Sequence, residues 1–262
     1  MKKLDRIICV VFTLCLIISS IICPAIIMMT RKTYYQNQFE KIDTMPPENE
    51  YRKVYYIDGD FGKTASLSRS QFDEIITHIT SFLKGEKESF TLILDDVIIN
   101  GETVAKASIF GEEAVEHMVH IRELYNTVKT IAVIFAVILI VCGVYMYKRK
   151  ALIRECIYKW SLGTVITIAS AAVIFLLFVL IKDMTDGNGI SSSSYLRKLW
   201  LYMHHLFFPF NSAKFGGSFF DDALTDILTI PFFMNTVGTI AINLLAITTA
   251  WLVSAKIIRR KK

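Results

Sequence analysis

Four charge-free apolar runs, Ile7–Thr30, Thr130–Tyr147, Trp160–Ile181 and Ile227–Ala255, alternate with stretches in which polar and charged residues recur every few positions. A bilayer crossing needs ~20 apolar residues. Lipid leaves the backbone only its own hydrogen bonds, so each run predicts a transmembrane helix. Pro231 stands near the start of the fourth run, which places the span itself at 234–255.

The polar stretches carry shorter periods. Between 31 and 129, Lys53–Ile57 reads as a strand. Ser70 and Asp73, with Phe72, Ile75, Ile76, Ile79 and Phe82 at helical spacing, predict a capped amphipathic helix ending at Gly85. Phe90–Ile99 and Glu102–Ile109, joined by Asn100-Gly101, predict a β-hairpin. Glu112–Lys129 has helix composition and runs straight into the second span. Between 182 and 233 a Gly/Ser loop, Asp186–Ser194, precedes Leu196, Leu199, Trp200, Met203 and Phe207, a helix pattern too short to span and suited to the interface or to re-entry. The expected fold class is therefore membrane α-helical: four transmembrane helices, a small α+β extracytoplasmic domain and an interfacial or re-entrant helix. The expected order is an N-terminus (1–6), span one (7–30), the α+β domain (31–129), span two (130–147), a basic loop (148–159), span three (160–181), the second outer loop (182–233), span four (234–255) and a basic tail (256–262).

Composition and charge add sidedness. With 53% hydrophobic residues, 20% charged and a mean hydropathy of +0.44, the chain is neither a cytosolic enzyme nor disordered. Residues 1–6, 148–159 and 256–262 together carry +11, leaving −6 for the opposite side of a chain whose net charge is +5. The positive-inside rule puts both termini in the cytoplasm of a multi-pass cell-membrane protein. The first run has the basic start of a signal peptide, but its length and the lack of a small-x-small site before Arg31 favour a retained anchor. Cys9, Cys15, Cys23, Cys142 and Cys156 form no evident framework, and the outer segments hold none.

All five histidines, His78, His117, His120, His204 and His205, fall in the outer segments. His78 reads as a surface residue of the soluble helix. Glu113, His117 and His120 can share one helical face, and His204 and His205 lie in the interfacial helix, where an imidazole at the membrane boundary points to function. Two chemistries fit. His117 and His204 can act as general base and acid, or Glu113, His117 and His120 can join His204 or Asp222 around zinc, without any HExxH signature. The bland alternative is that the histidines merely cap or pack. Gly59–Thr64 lacks the first glycine of a Walker loop, no GxSxG occurs, and a −6 outer face is a poor match to nucleic acid. No span carries an acidic residue, which argues against proton-coupled transport.

Phe110–Leu124, with its His117-Met118 pair and Arg122, the run His204-His205-Leu206-Phe207-Phe208, and Asp222-Ala223-Leu224 followed by Phe232-Phe233 resemble, in this order, three motifs of a family of small Firmicute integral-membrane proteins that includes the lipoprotein intramolecular transacylase. The match covers roughly 105–235 and departs from the pattern at His120, at Ala114 and in the position of Pro231. The resemblance implies transfer of an acyl chain from a lipoprotein's diacylglyceryl-cysteine to the cysteine α-amino group, giving an N-acyl lyso-form. It implies no cofactor and no resident metal. The partners implied are the lipoprotein N-terminus with its diacylglyceryl group and membrane lipid. His117 and His204 are then the catalytic pair, in interchangeable roles. Arg122 steadies negative charge or a headgroup, Asp222 orients an imidazole, and Glu113 and His205 support the site. Two other readings stand beside it: a histidine- or zinc-dependent lipid hydrolase, and a non-enzymatic membrane scaffold or sensor.

Overall fold

A computed structural model describes residues 3–56, 63–147, 154–170, 173 and 223–260. The elements are α1 (Lys3–Thr30), α2 (Lys32–Lys41), β1 (Tyr51–Tyr56), β2 (Lys63–Ser68), α3 (Arg69–Lys84), β3 (Ile93–Ile99), β4 (Glu102–Ser108), α4 (Glu112–Tyr147), α5 (154–170), α6 (Ala223–Ile227) and α7 (Ile230–Arg260). They fall into two compact units.

One unit comprises Met1–Ile26, Thr127–Ile190 and Val237–Lys262. Among the described residues, three helices are long and apolar enough to cross a membrane: Lys3–Thr30, Glu112–Tyr147 and Pro231–Ala250. The chain is a multi-pass membrane protein. Of the expected third span, 160–181, only the part to residue 170 and residue 173 lie among the described residues. Hydroxyls within the apolar helices bond back to their own backbone, Thr164 to Trp160 O at 2.9 Å and Thr248 to Leu244 O at 2.8 Å. That removes the cost of carrying them into lipid. Pro231 occupies the first turn of α7, where its missing N–H costs nothing. The cysteines correct the sequence reading, because Cys9 and Cys156 are bonded to each other across 147 residues. Periodicity carries no sign of a contact at that separation.

The second unit, Ile27–Asn126 and Ser191–Thr236, holds an antiparallel four-stranded meander in the order β1-β2-β3-β4. The β3–β4 hairpin forms where expected, and its turn residues Asn100 (φ 50°) and Gly101 (φ 91°) are both left-handed, as a tight two-residue turn requires. α3 ends at Gly85 in the left-handed C-cap conformation. Its start differs from expectation. The N-cap is Ser68 and its capping-box partner is Gln71, where the sequence reading used Ser70 and Asp73. Gln71 also donates to Asp95 O at 2.9 Å, tying the start of α3 to β3. β2 and α2 add to the elements expected. The core gathers Phe39 from α2, Leu67 from β2, Phe72, Ile75, Ile76 and Phe82 from α3, Leu94 from β3 and Met118 from α4. Each such side chain contributes roughly 1.5–3 kcal/mol by burial. Ala223, Leu224, Ile227 and Phe232 complete it from the far end of the chain.

Candidate active site

α4 presents His117. Its first turn carries Glu112 and Glu113, whose charges suit the positive end of a helix. Buried Ala114, His117, Met118 and Tyr125, with partly buried Ile121 between, then mark the stripe that faces inward. His117 is 4% exposed, between Ala114 at 3% and Met118 at 1%. An imidazole at a position built for an apolar side chain carries a desolvation cost. Its neighbours on the helix divide differently. Glu113 is exposed and His120 half-buried. Among the described residues no three His, Cys, Asp or Glu side chains could hold a metal, so Glu113, His117 and His120 do not by themselves make the zinc cluster considered from spacing.

Arg122 lies five residues beyond His117 on the same helix. Its guanidinium donates to Lys87 O at 3.0 Å and Glu88 O at 3.5 Å, and stands 4.9 Å from the centre of the Phe82 ring. One guanidinium nitrogen thus holds the loop after α3 while the group lies over that helix's last turn. α4 is thereby fastened to α3 close to His117 in sequence.

His78 corrects the surface assignment. It is 3% exposed. Nε2 lies 2.9 Å from Phe90 O and Nδ1 lies 2.9 Å from Lys87 Nζ. A carbonyl only accepts and an ammonium only donates, so this ring is neutral, with its proton on Nε2. Burial lowers its pKa from the ordinary 6.5, and the Lys87 charge lowers it further against the Phe90 hydrogen bond. The helical period placed His78 beside the apolar stripe. Its partners come from the loop, which periodicity does not reach. Lys87 and His78 are thus the members of the α3–α4 junction that sequence reasoning missed.

His204, His205 and Asp222, and the whole interfacial segment between 182 and 222, lie outside the described residues. Of the third sequence motif, Phe232 is core. It stacks on Tyr35 with ring centres 5.2 Å apart and packs on Phe39 at 5.3 Å. Tyr34 donates to Thr236 Oγ1 at 2.8 Å, fixing α2 to the start of α7. An open cleft of about 720 Å³ lies elsewhere in this unit, between Glu48, Glu50, Tyr51, Arg69 and Asp73, and among the described residues none of the candidate site residues Glu113, His117 and Arg122 lines it.

No family model matches the sequence, and no curated protein does. Solved structures do match. The chain is similar over all of its length, and over 98% of the other chain, to the membrane-integral lipoprotein intramolecular transacylase Lit from Bacillus cereus, with a TM-score of 0.62 at 13% identity. A structure of the same enzyme with one histidine replaced by arginine matches with a TM-score of 0.56 at 14% identity, over 98% of this chain and 93% of that one. At such identity the likeness is one of fold, and the chain has the fold of that membrane-integral transacylase from end to end.

Proposed function

We propose that this protein is a membrane acyltransferase acting within a single bacterial lipoprotein. It moves one acyl chain from the diacylglyceryl group to the α-amino group of the N-terminal cysteine and leaves an N-acyl lyso-form. The observation that carries the reading is the whole-chain fold likeness to a lipoprotein intramolecular transacylase, in a chain whose buried His117 falls in the first of three matching motifs. Four spans, both termini in the cytoplasm and a site at the outer leaflet complete it, because the diacylglyceryl chains and the cysteine amine meet at that depth.

The reaction follows from holding amine and ester together, which makes attack intramolecular. The α-amino group, of pKa ~7.7–8.0, attacks the ester carbonyl as the neutral amine, and the one proton its nitrogen sheds on addition passes to His117. The oxyanion collapses, the amide forms, and the glyceryl oxygen leaves with a proton from His204. His117 gains the proton that His204 gives up, and its return to His204 restores the pair, so acyl carbon and protons balance without water or an external donor. Arg122 and Asp222 support the charge and the imidazole orientation, with Glu113 and His205 at the edge of the site and the two histidine roles exchangeable.

The test is His117→Ala and His204→Ala, each co-expressed with a diacylglyceryl lipoprotein whose N-terminus is read by mass spectrometry. Loss of the N-acyl lyso product in both variants is expected. Unchanged product in both would remove the assignment.

A further inference from the structure

At the basic end of the membrane unit two sulfurs meet. Cys9, on the second turn of α1, and Cys156, on the first turn of α5, are bonded, with Cα atoms 5.5 Å apart. That spacing lies within the range a disulfide bridges without backbone movement. Exposure is 2% for Cys9 and 0% for Cys156. Around them lie Cys142 and Met146, whose sulfur is 3.7 Å from Cys156 Sγ, and Asp5 accepts from Tyr145 O–H at 3.1 Å beside them. Lys2, Lys3 and Arg6 precede Cys9, and Lys148, Arg149, Lys150 and Arg154 precede Cys156. By charge bias this rim faces the cytoplasm, where thiols are held reduced. A permanent staple is out of place there, although the two positions are built to close one.

We propose that Cys9 and Cys156 are a reversible redox pair, separate thiols in the resting cell and a disulfide between α1 and α5 when peroxide rises. The proposal rests on the sidedness read from charge, and is independent of acyl transfer. One thiolate takes an oxygen atom from hydrogen peroxide, releasing hydroxide and becoming a sulfenic acid. The second sulfur attacks it and water departs. Two thiols and one peroxide thus give one disulfide and two waters. A dithiol reverses the change, returning two electrons and two protons and becoming a disulfide itself. Burial makes both directions slow and admits only a small neutral oxidant. The closed pair fastens the inner ends of two helices that sequence keeps far apart.

The experiment counts thiols in the full-length protein. Cells with and without peroxide are quenched with acid, dissolved in detergent and labelled with a polyethylene-glycol maleimide. All five cysteines are expected to react in untreated cells and the three others, Cys15, Cys23 and Cys142, after peroxide, with five restored by dithiothreitol. Cys9→Ser and Cys156→Ser are each expected to show four in both conditions, and peptide mass spectrometry should find the Cys9–Cys156 crosslink only in oxidised wild type. Five reactive thiols after peroxide would overturn the proposal. So would three in untreated cells, which would make the bond permanent, or a loss of two that persists in Cys9→Ser.

Discussion

Lys87 joins His78 to Arg122: its ammonium lies 2.9 Å from Nδ1 of His78, and its carbonyl receives the guanidinium of Arg122 at 3.0 Å. Through this one residue the inside of α3 and the outer surface of α4 are parts of the same junction. Arg122→Ala removes donors from two carbonyls and the cation from the Phe82 ring. A cost of about 1.5–3 kcal/mol is expected, seen as a lower thermal midpoint and faster amide exchange over residues 85–90. Arg122→Lys should recover only part of this, because an ammonium can still donate to the carbonyls but has no planar face to lay on the Phe82 ring. Wild-type exchange in Arg122→Ala would show that the loop is held by other contacts.

His78 titrates with a definite sign. Its folded pKa lies below 6.5, so between those values the unfolded chain binds the proton more readily than the folded one. Its contribution is complete above about pH 6.5 and is lost as pH falls through the lowered folded value. Thermal midpoints measured from pH 7.5 down to 5 should therefore decline, and His78→Gln, which cannot charge, should flatten the decline. An equally steep curve in that variant would assign it to other groups.

Much of the sheet-bearing unit could be read from the chain because its signals are local. The apolar period of α3 and the Asn100-Gly101 turn each lie within a few residues. β2 was not legible, since Lys63–Ser68 offers only Ala65 and Leu67 as inward positions. In α2 the buried residues are Tyr35, Gln38 and Phe39 within a polar sequence, and a period in which a glutamine faces inward is not recognised as apolar. The environment of His78 and the Cys9–Cys156 bond depend on residues brought together by the fold. His117 was nominated through its motif, and what the structure adds is its burial, which spacing could not give.

The shifted N-cap gives a second stability test. Ser68 accepts from the Gln71 N–H and the Gln71 side chain accepts from the Ser68 N–H at 2.9 Å. Ser68→Ala is expected to cost about 1 kcal/mol, and Ser70→Ala, at an exposed site, less than ~0.5 kcal/mol. Denaturation of the two variants side by side decides which serine starts the helix. The reverse order would restore the cap read from sequence.

Asp73 links α2 to α3. Burial pushes its pKa up, but hydrogen bonds from Lys32 at 2.8 Å and Gln36 at 2.6 Å, with the charges of Lys32 and Arg69, outweigh it and leave the carboxyl below 3.8. Its stabilisation is present above that value and is lost as pH falls through the lowered one. Both partners of the ion pair are more than a third exposed, so Asp73→Asn should cost only about 0.5–1 kcal/mol at neutral pH, and the wild-type excess should vanish in strong acid. An excess unchanged at low pH would mean that the carboxylate is not its source.

The sequential strand order has a consequence for biogenesis. β1 to β4 pair only with neighbours in the chain, so the meander can zip up while later segments are still on the ribosome, the fast case for a sheet. The completion of its apolar core is different, because Phe232 and Ala223–Ile227 are made more than a hundred residues after β4. During that interval the core already built from α2, α3 and α4 waits for its last apolar pieces, and a ribosome stalled before residue 223 would leave a half-built domain exposed to quality-control proteases.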